Sequence, residues 1–458
     1  MTPSTDRAAR GAASPVTRHP SQGVTQPRVA VIGGGYAGMA AATELAAANF
    51  PVVIFEAART LGGRARRVQM DGKNLDNGLH ILIGAYKETL RLIEQVKLPS
   101  EELGLLRIPL ELSLYPSFRL KAPRLPAPLH LAWALLRARG LSFNDRLCAA
   151  RFMARMRAGK FRLDHDCSVA DMLTDHRQPT NTRRYLWDPL CISALNTPPA
   201  QASAQIFLNV LRDSLNGSRD DSDLLLPAMD FSALFPDRAA RFVQTRAGEV
   251  RLGSTVDAIR LESDEFVLEP DAGRFSHVVV AVPPHRASAL LKFLPTLTSV
   301  RSMIDNMTYQ PIYSVYLQYS DTTQLPFKMG GIEAEYSQWI FDRGQLGGPK
   351  GLIGVVISSK GAHQELDQDE LANRVHAELR LGFEVPKAFL WHRVIAEKRA
   401  TFTCSPGLQR PAARSSVPGL YLAGDYVRSD YPATIEGAVR SGVAAAQLVM
   451  RNDPTRSN

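Results

Sequence analysis

Cysteine is scarce. There are four in 458 residues, Cys148, Cys167, Cys191 and Cys404, and none lies close enough to another to form a CxxC pair. A disulfide scaffold is excluded, and neither a zinc ribbon, a dithiol redox site nor any other metal site is coded locally. Free thiols in a reducing compartment are the simplest state. Long apolar runs are missing too. The longest near the chain's most basic stretch, residues 125–136, is interrupted by prolines and ends at Arg137, too short to span a bilayer. Residues 1–27 are rich in Ser, Thr, Pro and Arg and carry no apolar core, so they read as a disordered tail rather than a secretory signal. A cytoplasmic chain, soluble or attached to a membrane surface, is expected.

Acidic residues are in the minority, 45 against 54 basic, for a net charge of +9. The excess is local. Residues 116–163 hold eleven Arg and Lys against Asp145 alone. Most of the rest is mildly acidic. The basic stretch resembles no RNP or helix-turn-helix pattern and its aromatics are widely spread, which argues against nucleic acid. Its arginines alternate with Leu131, Trp133, Leu135, Leu136, Phe143, Leu147, Phe152, Met153 and Met156, a pattern suited to an anionic membrane surface.

What is present is a nucleotide-binding signature. Arg28-Val-Ala-Val-Ile-Gly-Gly-Gly-Tyr-Ala-Gly runs from a β-branched strand into an alanine-rich helix, and Gly33, Gly35 and Gly38 have the G-x-G-x-x-G spacing. Glycine permits the tight turn and lets the backbone approach a pyrophosphate, which the helix N-terminus then attracts. Asn49 is suited to end the helix, and Pro51-Val-Val-Ile-Phe-Glu56 reads as a second parallel strand. Glu56 stands 23 positions after Gly33, near the roughly 20 expected for the acid that accepts ribose hydroxyls. A terminal acid disfavours a 2′-phosphate, leaving FAD or NAD.

Two further blocks bear on that choice. Leu61-Gly62-Gly63-Arg64 puts a glycine pair and a fixed cation just after the acidic strand, where a guanidinium could meet phosphate charge. Leu420-Tyr-Leu-Ala-Gly424-Asp425 reads as a short buried strand, and Thr434 as the cap of a helix beginning Ile435-Glu436-Gly-Ala. N–H groups at that helix start would suit an isoalloxazine carbonyl.

Together these blocks resemble the FAD-dependent amine oxidase and phytoene desaturase superfamily. The resemblance implies an α/β fold, with a Rossmann-like FAD-binding domain and an interleaved α+β substrate-binding domain. The expected FAD-binding stretches are 28–90, 245–290 and 412–455; residues 91–244 and 291–411 would form the substrate half, including the basic segment 116–163. The resemblance also places Glu56 on the adenosine ribose, Arg64 near the pyrophosphate, Asp425 on the phosphate or ribityl chain, and Ile435 at the flavin pyrimidine edge. Val256, in Gly253-Ser-Thr-Val-Asp-Ala-Ile, matches the valine whose backbone reads adenine. Cys404 is not where monoamine oxidases attach their flavin, so the FAD is expected to be non-covalent. No second strand-turn-helix fingerprint codes an NAD(P)H domain.

Between these blocks, Asp76-Asn-Gly-Leu-His80, Trp187-Asp-Pro-Leu-Cys-Ile-Ser-Ala-Leu-Asn196, Ala202-Ser-Ala-Gln-Ile-Phe and Ser222-Asp-Leu-Leu-Leu-Pro227 resemble the hydroxysqualene dehydroxylases of bacterial hopanoid and squalene synthesis. Leu79 stands where Gln is expected, and Ser429-Asp430 precede Tyr431-Pro432 where Thr-Gly is usual. Both departures are expected near the flavin ring. The resemblance implies that hydroxysqualene, an allylic C30 alcohol, loses water and receives a hydride from reduced flavin, the electron donor being unidentified. Contact with the upstream squalene-pathway enzymes would follow. Such chemistry needs a proton donor and a dry apolar cavity. His80 is the candidate donor, with Asp76 as its orienting partner or a loop cap, and Asn196 and Tyr431 as hydrogen-bond donors at the substrate mouth. The rival readings are a carotenoid or polyprenyl desaturase and an amine oxidase; the four Trp give no sign of the aromatic cage an amine would require.

Overall fold

The computed structural model describes residues 28–70, 72–270 and 272–452; the tail expected at 1–27 lies outside them. Its centre is a five-stranded, all-parallel sheet in the order Glu249–Leu252, Val52–Glu56, Val29–Ile32, His277–Val280, Leu420–Leu422. The three central strands are short runs of Val, Ile, Ala and Phe buried on nearly every residue, as a sheet covered on both faces requires. The fingerprint helix, Tyr36–Ala47, covers one face and packs against Ile435–Arg451. The approach is close enough that a Cβ on Gly442 would stand 2.1 Å from the Ala37 carbonyl oxygen. The small residues of both helices are there for contact. As expected, Asn49 ends the first helix with φ of 59°.

A seven-stranded sheet forms the other half. Its order is Trp391–Phe402, Tyr309–Gln318, Leu352–Ser358, Trp339–Asp342, Met329–Ile332, Glu111–Tyr115, Phe118–Lys121, antiparallel except between Met329–Ile332 and Glu111–Tyr115. Strand alternation sorts its two faces. Tyr313, Val315 and Leu317 meet the helix Gln368–Gly382 through Leu371, Val375 and Leu379. Ile312 and Tyr316 face the opposite way, into a cluster with Leu79, Leu226 and Val356. That helix starts at Gln368 because Asp367 caps it by accepting the Glu370 N–H at 2.7 Å.

Two details revise the sequence reading. The helices Phe231–Leu234 and Pro236–Gln244, expected in the substrate half, pack with the fingerprint helix, burying Phe231, Phe235, Ala239 and Val243 in the core of the parallel sheet. The boundary expected at 244 therefore moves upstream. In the basic segment, Phe152 and Met156 of helix Phe143–Ala158 are core residues, with Phe152 edge-on to Trp187 at 5.0 Å. Beyond its first residue, Phe143, that helix does not offer an apolar face to solvent. Among the described residues no helix is long and apolar enough to cross a membrane.

Candidate flavin site and its surroundings

The site forms where two glycine turns meet. Gly33 has φ of +113°, and a Cβ there would stand 2.5 Å from the Ala281 carbonyl oxygen. At Gly38 a Cβ would stand 1.9 Å from the Gly33 oxygen, so only glycine lets helix and strand approach. The second turn lies against the first: Gly62 donates its N–H to the Gly34 oxygen at 2.9 Å, and the Gly63 Cα is 3.7 Å from the Cβ position of Gly35. The helix beginning at Tyr36 has Gly35 as its N-cap and no side-chain cap. Its first N–H groups are left for an anion.

Glu56 accepts the Gly34 N–H at 2.6 Å and the Ala58 N–H at 2.8 Å, and each carboxylate oxygen keeps a lone pair for a ribose hydroxyl. Gly253 and Ser254 donate to the Ala58 and Glu56 carbonyls, bringing Val256 to the same end of the site. Arg64 comes from the second turn and Asp425 from the loop after the last parallel strand; they form an ion pair at 2.7 Å. Arg64 also donates to the Ala400 carbonyl, on the edge strand of the seven-stranded sheet, at 2.6 Å. Burial works against the Arg64 charge and Asp425 more than restores it. Gly424, with φ of +147°, turns the chain into Asp425. Thr434 caps the final helix by accepting the Gly437 N–H at 3.1 Å, leaving the N–H groups of Ile435 and Glu436 at the open end.

An uncapped helix, a glycine cradle, an acid at the end of the second strand and a paired cation are what a flavin dinucleotide needs, and the residues present fit it. They define a flavin-dependent oxidoreductase of the two-domain type. The chain matches the family described as flavin containing amine oxidoreductase over residues 36–450, and it belongs to that family; its cofactor is FAD. Among curated proteins it is similar to the hydroxysqualene dehydroxylase of Zymomonas mobilis, 26% identical across 92% of this chain and 98% of that one. The hydroxysqualene dehydroxylase of Rhodopseudomonas palustris is 28% identical across the same shares. Among solved structures, putrescine oxidase bound to putrescine superposes with a TM-score of 0.68 at 18% identity, covering 93% of this chain and 99% of that one; it shares the fold.

Four side chains singled out in the sequence are engaged elsewhere. Glu436 stands at the helix start expected to meet the isoalloxazine, but its side chain is fully buried. It accepts the N–H groups of Glu88 and Thr89 at 3.2 and 2.9 Å, the Thr89 hydroxyl at 2.7 Å and Arg440 at 2.7 Å. It caps helix Lys87–Val96, whose own N-cap Tyr86 provides no side-chain cap. Asn196 spends its amide on the Pro311 carbonyl and Thr401 hydroxyl, at 3.2 and 2.9 Å, and its oxygen on the Ser359 N–H at 2.8 Å. The Tyr431 hydroxyl donates to Asp213 at 2.6 Å. Neither donor is free for a substrate. Asp76 accepts the Phe231 N–H at 2.9 Å and pairs with Arg343 at 3.5 Å, so it does not orient His80. Burial outweighs that pair and lifts the Asp76 carboxyl to about 6.

His80 folds back on its own loop: Nδ1 lies 2.6 Å from the Gly78 carbonyl oxygen, and Phe231 is edge-on to the ring at 5.3 Å. A carbonyl only accepts, so Nδ1 carries the proton and Nε2 is the open nitrogen. Burial holds the imidazole below its ordinary value; the Gly78 carbonyl opposes this, while the charge of Arg64 adds to it. Leu79, expected near the ring, is buried against the seven-stranded sheet. Its Cδ1 lies 2.5 Å from where a Gly354 Cβ would stand, inside the cluster beneath the seven-stranded sheet.

Sequence reasoning missed Arg410, which donates to the carbonyls of Asp425, Ser429 and Tyr431 and so holds the loop that carries Asp425. It also missed Ser232, whose hydroxyl bridges the Leu61 carbonyl and Arg67 N–H. Neither belongs to a motif.

Proposed function

We propose that this chain is an FAD-dependent hydroxysqualene dehydroxylase, converting the allylic alcohol to squalene with loss of water. One observation carries the reading. The FAD cradle is joined through Arg64 and Ala400 to a sheet with an apolar face: Ile312, Trp339 and Ile395 on the sheet, and Ile81 and Ile108 in the cluster packed against it, are only partly buried, leaving hydrocarbon surface for a C30 chain.

The FAD-binding half would comprise 28–90, 245–290 and 412–455 together with the helices just before 245, and the substrate half the remainder. Gly33, Gly35 and Gly38 let the pyrophosphate approach, Glu56 holds the ribose, the Val256 backbone meets adenine, and Gly62, Gly63 and Arg64 close on the phosphates. Asp425, oriented by Arg64, meets the phosphate or ribityl chain beside Gly424. The N–H groups after Thr434 receive the ring's polar edge. Reduced flavin, when bound, supplies the hydride. The C–O bond breaks, the hydroxyl takes up one proton and leaves as water, and the allylic carbon gains the hydride. His80 delivers the proton from Nε2 when the ring is protonated. The apolar sheet face excludes water that would otherwise recapture the cation. The donor that reduces the flavin again is external and unidentified. Because both alcohol and product partition into bilayers, the enzyme works on the cytoplasmic, anionic membrane surface, where upstream squalene-pathway enzymes could hand over substrate.

Anaerobic incubation of the reduced flavoprotein with hydroxysqualene tests this. Squalene is the expected product. No conversion, alongside turnover of a polyprenyl desaturation substrate or an amine, would replace the reading.

A further inference from the structure

Helix Leu129–Leu136 presents its greasy side to solvent. Leu129, Trp133 and Leu136 are 58%, 44% and 54% exposed, while His130 and Ala134 on the opposite side are 1% exposed. The exposed positions fall at i, i+4 and i+7, a single stripe of two turns. Phe143, 74% exposed, begins the next helix. Nothing else described in the chain covers this stripe.

Cations surround it. Arg124, Arg137 and Arg139 are exposed, and the Arg137 guanidinium lies 5.2 Å from the centroid of the Trp133 ring. Among the described residues, ion pairs in the segment 116–163 are confined to Arg119 and Lys121, both with Glu111. The one acid of the segment, Asp145, is withdrawn into a capping box with Ser142 and is 5% exposed. An apolar stripe ringed by uncompensated arginines complements a bilayer with anionic headgroups, where such a helix sinks about 5–10 Å. It does not complement itself. A two-fold dimer would set arginine against arginine, and a helix of about 12 Å offers less than the ~800 Å² per partner that a stable dimer buries.

We infer that helix Leu129–Leu136 and Phe143 form a membrane-docking element that inserts Leu129, Trp133 and Leu136 into an anionic bilayer, with Arg124, Arg137 and Arg139 at the lipid phosphates. The inference gives a definite surface to the bilayer-derived substrate of the proposed function, and rests on that reading for its purpose. The element is tied to the substrate half beneath it: His130 Nε2 lies 3.2 Å from the hydroxyl of Ser222, two residues before the strand Leu224–Pro227 that supplies Leu226 to the cluster under the seven-stranded sheet.

Flotation of the FAD-loaded protein with phosphatidylcholine vesicles, with and without phosphatidylglycerol, tests it. The wild type floats with the anionic vesicles. Brominated lipid quenches part of its tryptophan emission, and that part is absent from Trp133→Phe. A triple variant, Leu129→Ser, Trp133→Ser and Leu136→Ser, keeps its flavin and melting temperature but loses about tenfold or more of its binding. Replacing Arg124, Arg137 and Arg139 by Gln removes the preference for phosphatidylglycerol. Unchanged flotation of the triple variant overturns the inference, as does a wild-type dimer that the triple variant dissolves. Turnover of detergent-dispersed hydroxysqualene separates the two readings: a wild type that converts it but never floats loses only the docking element, and one that floats without converting it loses only the proposed reaction.

Discussion

Arg64 and Asp425, 361 residues apart in sequence, share a hydrogen-bonded ion pair of 2.7 Å. The pair fastens the glycine turn after the second parallel strand to the loop after the last, so the two ends of the proposed FAD cradle are positioned together. Asp425→Ala removes the carboxylate and leaves a largely buried guanidinium without its partner. A charged hydrogen bond is worth about 1.5–3 kcal/mol, so FAD affinity should fall roughly tenfold or more. The flavin absorbance retained after dialysis measures it. Affinity equal to the wild type would mean that Arg64 and Asp425 do not face the cofactor.

His80→Ala should keep FAD and lose dehydroxylation. The pH dependence has a definite sign: burial lowers the histidine's value, so its proton-carrying form is populated only on the acid side of the ordinary histidine range. Turnover by the wild type should therefore be highest at mildly acid pH and fall as pH rises toward neutrality. A profile flat over that range, or unchanged turnover in the variant, assigns the proton to another group.

Asp76 makes a prediction about stability. Its carboxyl, lifted to about 6, binds a proton more tightly in the folded chain than unfolded, where the ordinary value is 3.8. Its contribution is therefore complete below that lower value and is lost as pH rises through about 6. The melting temperature of the wild type relative to Asp76→Asn should decline across this window. A constant difference would place Arg343 as a stronger partner than the 3.5 Å separation suggests.

Glu436→Ala should destabilise the apoprotein rather than weaken FAD binding directly. The change strips the buried acceptor from two backbone N–H groups and leaves Arg440 unpaired, at a cost of about 2 kcal/mol or more. Thermal melting of the apoprotein measures this, and Glu436→Gln should recover part of it. A normal melting temperature with weakened flavin binding would return Glu436 to the cofactor.

What was legible in the sequence was local. Gly33, Gly35, Gly38 and Glu56 lie within one βαβ unit, and Thr434 bonds three residues ahead, so spacing alone locates them. What was not legible depends on distant partners. Glu436 looked like cofactor chemistry because nothing near it reveals the helix it caps, 347 residues away at Thr89. Tyr431 meets Asp213 across 218 residues, and Asn196 meets Thr401 across 205. In the basic segment, arginine spacing located the charge but not its inner side: Phe152 and Met156 carry the same alternation as Trp133, yet they pack into the core.

The parallel sheet has a further consequence for how the protein is made. Its strands come from residues 29–56, 249–280 and 420–422, and the edge strand Leu420–Leu422 is synthesised after all the others. Asp425 emerges from the ribosome later still. Nascent chains can form the fingerprint turn early, but they cannot add the last parallel strand and Asp425 until residues 420–425 have been made. Cofactor capture is thus expected only after that segment has emerged, and FAD availability at that moment should shift the balance between folded and unfolded product by mass action. Ribosome-stalled chains released before residue 420 should retain no flavin, however much of the substrate half has already folded.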